Sequence, residues 1–234
     1  MQPCVSPPEI REFIHKVFLR AGVRESDAAL ATDVLVWTSL RGIDTHGVRN
    51  LKRYYIDGIE DGSIQPQAEF QIVEETPLTA TIDGNAGLGL VTASRAMNLA
   101  IEKASVSGMG MVTVRNSHHF GAAGYYAHQA VSQNMIGCCA NGYFFHNGQT
   151  ESVLPFGGML PMLSTNPLAM ACPSNELPPF VLDMSTSVVP VNRLELMSEL
   201  GRAIPEGWGR DATGQPVTDP QAVRQLLPFG GADQ

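Results

Sequence analysis

The sequence predicts an α/β fold, with a helical N-terminal subdomain over 1–76 followed by a mixed-sheet domain over 77–234. Three observations lead to it. Apolar residues recur at helical spacing through the first part of the chain. From Pro77 onward short β-rich runs alternate with helical stretches, and polar junctions fall at the strand ends, where α/β proteins build their sites. A length of 234 residues, 44% of them apolar, is enough to bury a core without disulfide or metal staples.

Taken in order, Ile10, Phe13, Ile14, Val17, Phe18 and Ala21 place one apolar stripe on a helix face. Pro7 and Pro8 open that helix and Gly22 closes it. Ser26 or Asp27 is expected to cap a second helix, with Leu30, Val34, Leu35 and Trp37 pointing inward. A shorter helical segment from Leu51 to Ile59 carries paired tyrosines and ends near Gly62. In the second part, Leu78 to Ile82 reads as a strand, Asp83 to Asn85 as a turn, and Leu90 to Ala104 as a helix. Met111 to Val114 reads as a buried strand and Ala122 to Gln133 as a helix; further strands are expected at 135–140, 169–172 and 180–183. Turn signals dominate from Gly207, at 211–216 and 218–220, and the stretch from Leu226 to Gly231 reads as a glycine turn. Gly84, Gly87 and Gly89 lie between a strand and a helix, yet their spacing reverses the dinucleotide fingerprint, and no P-loop pattern occurs. Any dinucleotide would therefore bind by a non-Rossmann geometry.

Charge narrows the function. Fifteen Lys and Arg against 23 Asp and Glu give a net charge of −8, which disfavours a nucleic-acid surface. The densest basic cluster, Arg49, Lys52 and Arg53, suits a small anion instead. No apolar run approaches the roughly 18–20 residues that cross a bilayer, and the first residues lack a signal-peptide layout. The expectation is a cytoplasmic protein without nucleic-acid or membrane partners. Cys4, Cys138, Cys139 and Cys172 form neither a disulfide framework nor a zinc spacing. They read as reduced core thiols, a nucleophilic role for Cys138 or Cys139 being the other reading.

Histidine is the natural acid and base near neutral pH. His15 and His128 fall inside predicted helices and read as structural. His46 sits in a polar junction between glycines, with Arg49 three residues on. If the segment turns helically, imidazole and guanidinium share a face, the pairing that a 2-hydroxy or 2-oxo acid requires: Arg holds the carboxylate and His exchanges the proton at C2. Asp44 would orient His46 or cap the next turn, and a capping cluster beside a surface Arg remains the competing reading. Asn116 to Gly121, directly after a strand, contains His118 and His119. Adjacent histidines tend to point apart and chelate one metal poorly, so no metal is expected. Ser164 to Pro167, including Asn166, and Asp183 to Ser187 offer N–H and O–H donors to a ribose or phosphate, or else ordinary caps.

In this order the stretches 41–49, 83–89, 115–126, 165–167, 183–187 and 204–208 resemble the malate/L-lactate dehydrogenase family, which includes sulfolactate, ureidoglycolate and 2,3-diketo-gulonate dehydrogenases and piperideine/pyrroline-2-carboxylate reductases. The resemblance implies a homodimeric oxidoreductase that uses NAD or NADP on a small 2-hydroxy or 2-oxo acid, with a non-Rossmann cofactor fold of the sulfolactate dehydrogenase-like type. Carried over by position, His46 matches the family's first catalytic histidine, with Thr45 where serine is usual, and His119 matches the second. Thr45 and Arg49 fall in the substrate motif. Asp183, Met184, Ser185 and Thr186 fall on the cofactor-binding strand end, with Asn166 in the neighbouring Asn-Pro motif. Three departures stand out: Asn192 and Arg193 occupy the place of a usual Gly-Lys, the stretch from Asn141 to Glu151 is aromatic where the family has small hydroxyl residues, and the family pattern continues beyond Gln234. The expectation is therefore a domain incomplete at its C-terminus. The alternative function is an inactive, truncated member that acts at most as a structural or dimerisation partner.

Overall fold

Helix α1 (Pro7–Arg20) begins with a capping box, in which Ser6 and Glu9 bond each other reciprocally and the prolines occupy the first turn. Gly22, at φ +84°, ends it. Helix α2 (Glu25–Leu40) starts two or three residues earlier than a Ser26 or Asp27 cap would allow, with Arg24 at the cap position and the buried Asp27 carboxylate bonded to Arg95 instead. Ala28, Ala31, Val34, Leu35 and Val36 are buried, while Leu30 and Trp37 are only half-buried. The computed structural model describes residues 5–142, 153–158 and 160–230. Cys4 and the aromatic run Tyr143, Phe144, Phe145 and His146 lie outside the described residues.

The segment expected as one short helix is a succession of three: a 3₁₀ turn (Val48–Asn50), a π-helical stretch (Leu51–Ile56) and α3 (Asp57–Glu60). Strand β1 (Gln71–Glu75) pairs antiparallel with β2 (Thr79–Gly87), and β2 pairs parallel with β3 (Met111–Ser117), so the first sheet is mixed, in the order β1-β2-β3. Helix α4 (Gly89–Ser107) makes the crossover and covers Ala80 and Ile82. Two expectations are corrected here. The glycine turn at 83–85 does not end the strand; Asn85 and Ala86 take left-handed angles (φ 49° and 53°) inside β2, and the pairing resumes at Gly87. β3 is not buried, since Met111 and Val114 remain 56% and 39% exposed.

Helix α5 (Ala123–Gln129) runs into a 3₁₀ turn (Ala130–Gln133). β4 (Gly137–Ala140), β5 (Leu168–Cys172) and β6 (Phe180–Met184) form a second sheet in that order. After α6 (Val191–Glu199) come two short strands, β7 (Gly209–Arg210) and β8 (Gln225–Leu226). The chain divides into two units, residues 1–137 with 170–181, and residues 138–169 with 182–234. The second has its own core of Val153, Val189, Leu194, Ile204, Val223 and Leu226. Its last described residues are more than a glycine turn: Val188 donates its N–H to Leu227 O at 3.0 Å, and Phe229 to Thr186 O at 2.8 Å. Among the described residues no helix is long and apolar enough to cross a membrane.

Candidate active site

His46 lies just beyond the end of α2. Gly47 packs so closely on Ser39 that a side chain at 47 would overlap it, and Ser39 Oγ accepts the Val48 N–H at 2.9 Å. Thr45 is buried, its carbonyl accepts from Asn50 Nδ2 at 2.9 Å, and its hydroxyl lies 2.9 Å from His46 Nδ1. Thr45, rather than the exposed Asp44, is therefore the group placed to orient the ring. The continuous helical turn expected from His46 to Arg49 does not form, because Gly47 (φ −92°, ψ −144°) is non-helical. Arg49 sits in the 3₁₀ turn beyond it, half-buried.

His119 follows β3, at the carboxyl end of a parallel strand. Its ring stacks on His46 with centroids 5.6 Å apart and planes 18° from parallel, and on Tyr54 at 4.4 Å and 18°. Tyr55, fully buried, brings its hydroxyl 2.8 Å from His119 Nδ1, and the backbone N–H of Gly121 donates to the same nitrogen at 3.2 Å. Two neighbouring tyrosines reach one imidazole because a π-helical ladder winds more slowly than the roughly 100° per residue of an α-helix, so consecutive side chains diverge less. His118 turns elsewhere: its charge is one of the minor influences that hold the Asp61 carboxyl low, after the hydrogen bonds from Ser63.

Burial decides the protonation of both rings. Desolvation lowers the His46 pKa to about 4. His119 falls to about 3, chiefly by desolvation and further by the proximity of His46. Both imidazoles are thus neutral throughout the physiological range. Burial lifts the Tyr55 phenol well above its ordinary value, so it remains a hydroxyl.

In the second unit, Asn166 takes a left-handed angle (φ 35°). Thr186 donates both its N–H and its hydroxyl to Thr165 O, at 2.8 and 3.1 Å. The hydroxyls of Ser185 and Ser187 donate to Ser187 O and Val189 O. The hydroxyls of 185–187 therefore donate to local backbone carbonyls, which leaves their oxygen lone pairs as acceptors. Asp183 and Met184, at the end of β6, are half-buried. Of the cysteines read as core thiols, Cys138 is exposed and Cys139 and Cys172 are half-buried; all three are free. The Cys139 thiol is pushed up to about 12 by burial and then by Asp183 and Cys138, which removes it as a nucleophile at neutral pH.

The sequence points to His46 and His119, and the fold brings these two together. Tyr54, Tyr55 and the Gly121 amide are additional site groups whose only sequence signal is a pair of adjacent aromatic residues beside a polar junction.

The family model described as malate/L-lactate dehydrogenase matches residues 5–232. The chain is 43% identical over 222 residues to a malate dehydrogenase of Pyrococcus horikoshii, covering 94% of this chain and 59% of that protein. It is 39% identical to an L-sulfolactate dehydrogenase of Methanocaldococcus jannaschii, covering 97% and 64%. The crystal structure of malate dehydrogenase from Entamoeba histolytica superposes with a TM-score of 0.92 at 40% identity, over 99% of this chain and 64% of that one. The chain thus spans about three fifths of the length of such relatives. By the extent of that match, this chain belongs to the malate/L-lactate dehydrogenase family.

Proposed function

We propose that the chain carries the substrate and cofactor residues of an NAD(P)-dependent oxidoreductase that interconverts a small 2-hydroxy acid and its 2-oxo acid. The observation that supports this best is the stacked pair His46 and His119, both neutral, beside Tyr54. His46, oriented by Thr45, takes the proton of the C2 hydroxyl in oxidation and returns it in reduction. Arg49 holds the substrate carboxylate. His119 is the second catalytic histidine, facing the same substrate centre. The hydride chemistry is what a bound nicotinamide supplies. The second unit suits the sugar of such a cofactor: a carboxylate at Asp183 and the acceptor oxygens of Ser185 and Thr186 match the donating hydroxyls of a ribose, while a phosphate would need donors. In this reading the substrate motif belongs to the helical subdomain 1–76 and the cofactor contacts to 77–234, and the working protein is a cytoplasmic homodimer.

The test is NADH and NADPH oxidation followed against pyruvate, oxaloacetate, 2-oxoglutarate and piperideine-2-carboxylate. One substrate should turn over, and His46→Ala should lower kcat by about 10²–10⁴-fold. Absence of turnover and of NADH binding, in a chain that unfolds cooperatively, would leave it a structural or dimerisation partner.

A further inference from the structure

His119 Nδ1 is approached by two groups, and one of them has no choice of role. The Gly121 N–H at 3.2 Å can only donate. Nδ1 must therefore present its lone pair, and in the neutral imidazole the single proton then resides on Nε2. Tyr55 Oη, 2.8 Å from the same atom, is consequently the donor in that contact, and the one lone pair of Nδ1 is shared between the two donors in a three-centre bond whose shorter arm comes from Tyr55. Its phenol is wholly buried, so the hydroxyl cannot be satisfied by bulk water. Gly121 meets this geometry at φ +75°, an angle a glycine adopts without strain, close to Leu90 and Val34.

We infer that Tyr55 is a positioning residue: with the Gly121 amide it fixes His119 in the Nε2–H tautomer, so that His119 faces a substrate oxygen as a hydrogen-bond donor. This role rests on the reading of His119 as a substrate-facing group. It separates the two histidines. His46, whose Nδ1 meets a Thr45 hydroxyl able to donate or accept, can exchange a proton. His119 cannot take a second proton on Nδ1 without losing the bond from Gly121, so it polarises the substrate carbonyl in reduction and holds the hydroxyl oxygen in oxidation.

The experiment is heteronuclear NMR of the full chain labelled at the histidine ring nitrogens, with the His119 resonances identified by their loss in His119→Gln. The expected result is an unprotonated, lone-pair-type shift at Nδ1 and a protonated one at Nε2. Tyr55→Phe keeps the ring volume and the edge contact with Phe18 and removes only the hydroxyl. A lost neutral hydrogen bond shifts a tautomer ratio by about tenfold. The variant should therefore show a second His119 tautomer, and kcat up to about tenfold lower with KM changed less than about twofold. A merely structural tyrosine would leave the tautomer untouched. A protonated Nδ1 in the unaltered protein, or identical His119 shifts in Tyr55→Phe, overturns the assignment. The tautomer is read without turnover, so a correct tautomer in a chain inactive towards every acid would refute the proposed activity and leave only the Tyr55-set tautomer standing.

Discussion

His46 and His119 lose their affinity for protons because the fold removes them from water, and this has a consequence for stability as well as for chemistry. Their pKa values fall from the ordinary value near 6.5 to about 4 and about 3. Between those limits the unfolded chain binds protons that the folded chain refuses. Stability therefore rises with pH across this window and is complete above about 6.5. Acidification from pH 6.5 to 4 should cost up to about 1.4 kcal/mol per pH unit for each histidine, visible as a falling urea midpoint, and His46→Gln should flatten part of that slope. An unchanged slope would mean that the rings are hydrated. The same values predict that hydroxy-acid oxidation stays level through the neutral range and declines only towards pH 4, where His46 becomes protonated. Both histidines are legible in the sequence because a His between glycines, and a His after a β-rich run, occupy the positions where elements meet. Tyr55 is not legible, because its partner His119 lies 64 residues away and only the fold joins them.

At the level of elements, the position of His119 depends on where helix α4 begins. Gly89 opens that helix, and a Cβ there would overlap the carbonyl oxygens of both His118 and His119. Gly89→Ala should therefore push the His118–His119 segment away from α4, although alanine favours helix by about 1 kcal/mol. The expected outcome is turnover about 10- to 100-fold lower with helix content by circular dichroism unchanged; undiminished turnover would show that the loop is placed by other contacts. The pattern of strand, helix and strand across β2, α4 and β3 is readable from apolar periodicity. The course of β2 through 83–87 is not, because it depends on Asn85 and Ala86 accepting left-handed angles while Asp83 bonds the Asn85 N–H and the Asn116 amide. The π-helical winding of 51–56 is equally silent in the sequence, since its residue types would also fit an ordinary helix.

Across the whole molecule, each unit encloses part of the proposed chemistry, and the second unit depends on residues near the end of the described chain. Leu226 is fully buried in its core, and the residues after it hydrogen-bond to the 186–188 backbone. Leu226→Ala should cost about 2–5 kcal/mol and speed hydrogen exchange at the Val188 and Phe229 amides; retained protection there would show that the pairing stands without that core. Composition predicts such a core but not its membership, because turn-rich sequence from Gly207 onward gives no periodicity to follow. The mixed sheet of the first unit also bears on how the chain behaves in solution. Its two outer strands are guarded unequally: β1 carries Glu74 and Glu75 and an irregular register at 72–74, features that discourage strand addition. β3 runs from Met111 to Val114 without a charge before Arg115, with half or more of Met111 exposed. Crowded at high concentration, the chain is therefore asymmetric in its stickiness, and β3, which has no second strand neighbour among the described residues, is the edge on which a stray strand would first find N–H and C=O groups to pair with.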